Sequence, residues 1–207
     1  IVHNGQNGIF GSNNVTSGTL NQSLGILGNT ISYNGSDGIR ILTTSAVAST
    51  LSQGLSIGGN TIAQNSSNGV FVSAQMFSNS TLSQTASLTD NTITDGAGYG
   101  IALIGHLRTS GTIVQSVTAT GNAIADFGSD GILARSRLYG TGLVSQTVSI
   151  GANTLTGIGR NGIEVGAFET SGTTLSQTAT VTNNVLSGIS AQGIRVTARD
   201  DAGSSFG

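Results

Sequence analysis

The chain of 207 residues contains no cysteine, no proline, no tryptophan and no lysine. Without cysteine there can be no disulfide scaffold, no thiolate zinc site and no cysteine nucleophile. Its seven basic residues are all arginine and face nine acids, for a formal net charge of -2 at pH 7. With no basic run among them, they argue against a nucleic-acid footprint. Charged residues make up only 8% of the chain, where an ordinary soluble domain carries about a quarter. No apolar run approaches the ~20 residues that span a bilayer. Scarce charge would fit a disordered chain, but Leu, Ile, Val and Phe together exceed the ~20% threshold for disorder and are regularly spaced. The composition implies no cofactor.

What the chain does contain is repetition. Asn29, Asn60, Asn91, Asn122, Asn153 and Asn184 stand 31 residues apart, and Gln22, Gln53, Gln84, Gln115, Gln146 and Gln177 keep the same step. A glycine followed by Ile or Val recurs at Gly38, Gly69, Gly100, Gly131, Gly162 and Gly193. Gly8-Ile9 is a further copy, out of step because one residue is missing between Gly8 and Gln22. A fixed period of this length marks a solenoid or array.

One unit, residues 60 to 90, reads NTIAQNSSNGVFVSAQMFSNSTLSQTASLTD. Three stretches in it have strand character: Asn60-Thr61-Ile62, Val70-Phe71-Val72, and Thr81 to Thr89 with Leu82, Gln84, Ala86 and Leu88 on one side. Clusters of Gly, Asn and Ser between them read as turns. No segment shows a capped apolar period of 3.6 residues, so helices are not expected. Three short strands cannot bury their apolar residues alone, and stacking units in parallel register buries them along one core. At 31 residues per coil, 207 residues give about 6.7 coils and a rod about 30 Å long, in a single domain over residues 1–207. The absence of proline fits, because nearly every strand would be central.

The order Asn-Thr-Ile, polar turn, Gly-Ile-x-Val, loop and polar-alternating strand resembles the repeats of right-handed parallel β-helices. These occur in the pectate-lyase-like superfamily, phage tailspikes and bacterial autotransporter passengers and adhesins. The resemblance implies an all-β, right-handed parallel β-helix and covers essentially the whole chain. For function it spans lyases, glycosidases, epimerases and inert adhesive stalks, so the residues must discriminate.

The Asn column is expected to form a ladder, each amide bonded to those one coil away, because Asn is both donor and acceptor. The Gln column shares its side of the third strand with Leu82, Ala86 and Leu88 and should be buried and self-paired. The Gly column marks either a positive φ or a place where a side chain would clash. Outward positions of the third strand are mostly Ser and Thr, as in Thr81, Ser83, Thr85, Ser87 and Thr89. Such an array resembles the ice-binding face of some β-solenoid antifreeze proteins, a match weakened by Val114, Leu143 and several glycines.

Specific chemistry is expected where the repeat is broken. The outward positions of the second strand vary from coil to coil: Arg40-Leu42-Thr44, Phe71-Ser73-Gln75, Ala102-Ile104-His106, Leu133-Arg135-Arg137, Glu164-Gly166-Phe168 and Arg195-Thr197-Arg199. Five of the seven arginines lie there, with Phe71, Ile104, Leu133 and Phe168 beside them. That mixture reads as an interaction face, unless the following loop covers it or it forms a catalytic cleft.

Polysaccharide lyases of the resembled family use clustered Asp for calcium and a Lys or Arg base. Here the base would have to be Arg, and Asp95 and Asp126, in one column of neighbouring coils, could stack as a carboxylate pair for a cation or a raised pKa. Glu169 and Asp200 also share a column, beside Arg199, and read as charge neutralisation. Glu164 beside Arg195 reads as an inter-coil ion pair, and His106 has no carboxylate to orient it. The chain is therefore expected to be non-enzymatic: a filament subunit or adhesin stalk, extracellular or on a bacterial surface. It would associate with itself end to end or laterally, or bind a glycan or cell-surface partner. Polysaccharide binding or cleavage is the alternative and ice binding the third reading. Because the chain starts and stops partway through a repeat, it is expected to be a segment of a longer protein or a stacking subunit.

Overall fold

A computed structural model describes residues 1–46, 48–170 and 174–200. Among them are nineteen strands and no helix. The strands form three all-parallel sheets in a β-solenoid of about six turns. Numbering in chain order, the variable sheet contains β1 (Ile9–Val15), β4 (Ile39–Ser45), β7 (Val70–Met76), β10 (Ile101–Leu107), β13 (Ile132–Leu138), β16 (Ile163–Glu169) and β19 (Ile194–Asp200). The Ser/Thr sheet contains β2 (Gly18–Leu27), β5 (Ser49–Gly58), β8 (Ser80–Thr89), β11 (Gly111–Thr120), β14 (Gly142–Gly151) and β17 (Thr174–Thr182). The Asn-Thr-Ile sheet contains β3 (Thr30–Ser32), β6 (Thr61–Ala63), β9 (Thr92–Gly96), β12 (Ala123–Phe127), β15 (Thr154–Ile158) and β18 (Val185–Ile189).

Pairing keeps the 31-residue step, as in Ile101↔Ile132 and Gln84↔Gln115. The first coil is one residue short, and the gap lies at its corner: Val15 pairs with Ser45 but Gly18 pairs with Ser49. The deletion therefore falls in a turn, where it shifts no side chain to the wrong face.

Residues from all three sheets meet in one core, for example Ile31, Ile39 and Ile57. A smaller cluster of Leu51, Met76, Leu82, Leu107, Ile113, Leu138 and Val144 fills the corner where the variable and Ser/Thr sheets converge. The Gln column runs between these two apolar clusters. Gln53, Gln84, Gln115 and Gln146 are buried, and each Nε2 donates to the Oε1 one coil earlier at 2.7–2.9 Å. Gln177 completes the chain of bonds at 2.8 Å. Burying a glutamine costs free energy unless its amide is paired, and stacking supplies the partner at every coil.

The Asn column does the same with opposite polarity. Asn60 Oδ1 accepts both the backbone N–H and Nδ2 of Asn29, while its own Nδ2 donates forward to Asn91 and back to the Ile26 carbonyl. The pattern repeats through Asn91, Asn122 and Asn153 to Asn184. Only a side chain with two donors and a two-fold acceptor satisfies this corner. The recurring glycines are there for space: at Gly38, Gly69, Gly100, Gly131 and Gly162 a Cβ would strike an Ile or Leu side chain and the next glycine's carbonyl. None of these five has a positive φ.

Candidate interaction face

The variable sheet turns alternate residues outward, and arginines and aromatics stack on one another across its coils. The Arg40 guanidinium lies 5.1 Å from the Phe71 ring centre, one coil on. Further along, the Phe168 ring is approached by both Arg135 at 5.9 Å and Arg137 at 5.2 Å. Gly166 creates the seat for that ring, since a Cβ there would run into it. Arg137 also lies 5.6 Å from the Tyr139 ring and donates to its hydroxyl at 3.0 Å. Each contact holds a charge over the negative face of a ring.

His106 joins this group, 5.1 Å from Tyr139 and tilted to it. Its Nε2 is buried without a hydrogen-bond partner. Burial pushes the imidazole below its ordinary pKa of 6.5, and the nearby charges of Arg108 and Arg137 push it further the same way. A neutral imidazole wedged among cations is poorly placed to act as a base.

Glu164, the one acid on the outward positions read from alternation, is almost fully buried at 2% exposure. Arg135 donates to it at 2.5 Å, Arg160 lies at 3.6 Å, and Arg195 is the most distant at 3.9 Å. The inter-coil pair with Arg195 expected from the sequence is thus the weakest of three. Burial would raise the Glu164 pKa, but the Arg135 hydrogen bond and charge, then Arg160 and Arg195, outweigh it and hold the carboxyl below its usual range. Leu133 is also fully buried, although alternation turns it away from the core. Arg135, two residues along, reaches to Glu164, the residue stacked on Leu133, and so crosses this position. Leu133 and Glu164 hold the face together rather than present it to a partner.

A second polar column lies behind the face, in residues immediately before the recurring glycines. Asp37 Oδ1 accepts the backbone and side-chain N–H groups of Asn68, and its Oδ2 pairs with Arg40 at 2.7 Å. Asp130 repeats the arrangement, accepting the Asn161 N–H, with Arg160 at 3.4 Å. Asn161 in turn donates to Glu164 at 2.7 Å. Burial pushes the Asp130 pKa up, and the Asn161 hydrogen bond and Arg160 only partly oppose it. The signal was present in the sequence as an Asp, Asn or Gln before that glycine in six of seven coils, with Tyr99 the exception.

Asp95 and Asp126 are exposed, and both have left-handed backbones, φ 59° and 61°. Tyr33, Gln64, Gly157 and Gly188 share that conformation in the same column. Asp tolerates it better than most residues, which gives the two acids a local reason to be there. Among the described residues no three His, Cys, Asp or Glu side chains gather as a metal site would require.

Depressions on the surface of the described residues include a groove and a notch. A groove of about 270 Å³ on the variable sheet is lined by Arg40, Leu42, Thr43, Thr44, Phe71, Ser73 and Gln75. A notch of about 310 Å³ interrupts the Ser/Thr sheet where Gly25 and Gly54 carry no side chain. Of the remaining residues singled out on the face, Ile104 is half-buried, while Arg195 and Arg199 lie exposed on the last described strand. No family model, curated protein or solved structure matches this chain.

Proposed function

We propose that the chain is a non-enzymatic structural rod of an extracellular or bacterial cell surface, a filament or adhesin-stalk element, with the variable sheet as its contact face. In this reading it is a right-handed parallel β-helix of the pectate-lyase-like type. The supporting observation is a division of labour: the repeated Asn, Gln and Gly columns are used up in joining coil to coil, while the coil-specific Arg–aromatic stacks lie together on one outward face. Arginine and aromatic side chains are the residues that dominate protein interfaces, and stacking fixes them before a partner arrives. Electron micrographs of native material should show rods, and Arg137→Ala should weaken attachment to cells about tenfold or more. Irregular particles, or attachment indifferent to the substitution, would overturn the reading.

The groove beside Phe71 supports a second reading, a polysaccharide-binding or polysaccharide-cleaving β-helix. An aromatic ring, two threonines, a serine, an amide and a guanidinium line one open trough, a combination suited to a sugar's apolar face and hydroxyls. A glycan array together with an assay for unsaturated products separates binding from cleavage.

A further inference from the structure

We infer that rods of this chain associate side by side, the edge bearing Arg108 and Arg137 of one copy docking on the face bearing Asp90, Asp95 and Asp126 of the next. This builds on the reading of the chain as a structural rod. It identifies the partner of the cationic edge as a second copy.

Three features of the molecule lead there. First, the edge is cationic and preorganised. Arg108 lies 5.7 Å from the Phe77 ring centre and Arg137 is held between Phe168 and Tyr139, yet neither meets a carboxylate among the described residues. His106, between them, adds no compensating negative charge. Second, Asp90, Asp95 and Asp126 are exposed and have neither a hydrogen bond nor an ion pair from their side chains to any described residue. They lie on the Asn-Thr-Ile sheet and the turn leading into it, where no arginine precedes the corner residue Arg160.

Third, the topology puts these charges on opposite sides. Three sheets enclose the core, and Arg108 and Arg137 lie where the variable and Ser/Thr sheets meet, which is the edge opposite the Asn-Thr-Ile sheet. Asp95 and Arg108 belong to one coil and Asp126 and Arg137 to the next, so two parallel rods in axial register match both pairs at once. The contact is heterologous: each copy keeps a free edge and a free face, so association does not close at a dimer. A single exposed Asp–Arg pair contributes only about 0.2–1 kcal/mol, so the association is weak and salt-sensitive.

Sedimentation or light scattering of the purified chain tests this without any cell or glycan, so it can fail while the adhesive reading stands, and the reverse. At about 10 mM salt, where charges act over roughly 30 Å, the average mass should exceed that of the monomer. At about 1 M, where they act over roughly 3 Å, it should fall back. Arg108→Glu/Arg137→Glu and Asp95→Arg/Asp126→Arg should each be monomeric alone. Tyr33 and Gln64 show that the left-handed column accepts larger side chains. Mixed, the two variants should assemble again, because each supplies the charge the other has lost. If either fails to fold, Arg108→Gln/Arg137→Gln replaces the first and Asp95→Asn/Asp126→Asn the second. Each neutral variant should then show a reduced average mass at low salt. A wild-type chain monomeric at low salt, variants that associate as it does, or reversed variants whose mixture stays monomeric would each sink the inference.

Discussion

The first coils and the later ones solve the same corner differently. Five residues after the ladder asparagine, the early coils have Asn34 and Asn65, and the later ones Gly96, Phe127, Ile158 and Ile189. In the early coils Asn65 Oδ1 takes both the backbone N–H and Nδ2 of Asn34, at 3.1 and 2.8 Å, and Asn34 does the same for Asn4. The backbone N–H of Asn34 is thus spent on a side chain, and β3 stops after three residues, as β6 does in the coil that supplies the accepting amide. In the later coils those N–H groups have no amide to find, so backbone pairing continues through Gly96, Phe127 and Ile158, and β9, β12 and β15 reach five residues. Gly96 is the junction, because a Cβ there would collide with the Phe127 ring. A polar ladder that satisfies itself and an apolar stack that extends the sheet are interchangeable corners of one coil.

The largest expected effect comes from breaking the apolar corner. Phe127 is 2% exposed and packs in the main core, so Phe127→Ala should destabilise by about 3–5 kcal/mol. Hydrogen exchange should show the loss concentrated in the coils around β12, because repeat arrays lose stability locally. At the amide corner, Asn65→Leu strands the two donors of Asn34 and should cost about 2 kcal/mol. Asn34→Leu/Asn65→Leu should cost less than the sum of the two single changes, since removing both partners leaves fewer orphaned groups. Strict additivity in urea denaturation would mean that the two asparagines do not act as a ladder.

Much of this architecture was readable beforehand, and the rest was hidden for identifiable reasons. Period and alternation gave the register, the burial of Leu82, Gln84, Ala86 and Leu88, and both long ladders, because each depends only on which side of a strand a residue faces. Alternation cannot say what lies over an outward residue. Leu133 and Glu164 therefore looked like surface, although Arg135 and Arg160 close over Glu164. The switch from Asn65 to Phe127 was concealed because both occupy what reads as a turn, and turn residues do not reveal whether a corner is filled by an amide ladder or by an apolar stack. The Asp37 and Asp130 column was visible beside the glycines, but its pairing with Arg40 and Arg160 depends on how the corner folds.

Charge sharpens the contrast between the two regions. Near the start, Asp37 has one cationic partner, Arg40, whereas in the later coils Glu164 is surrounded by Arg135, Arg160 and Arg195. Glu164→Gln leaves those guanidinium groups without their carboxylate. Because they are partly exposed, the cost at neutral pH should be nearer about 1–2 kcal/mol than the larger penalty of a sealed ion pair. Since folding lowers the Glu164 pKa, its contribution is present above the unfolded value and lost as pH falls through the folded one. Asp130, raised by burial, works in the opposite sense and partly offsets that loss. The Gln variant should therefore show a flatter acid decline in its urea midpoint than the wild type.

The smallest effect belongs to His106. Folding lowers its pKa, so the stability linked to its neutral form is full above 6.5 and lost as pH falls through the folded value. Protonation would place a third positive charge beside Arg108 and Arg137, with only the Tyr139 ring to receive it. His106→Gln removes that titration while keeping a side chain of comparable reach. Between about pH 7.5 and about pH 5.5, amide exchange in β10 and β13 should therefore accelerate in the wild type and change less in the variant. The coils around Asn34 and Asn65, where no histidine stands between arginines, should be indifferent over the same range. Equal acceleration in both regions would show that mild acid acts on the solenoid as a whole, and the later coils would then differ from the early ones in their packing alone.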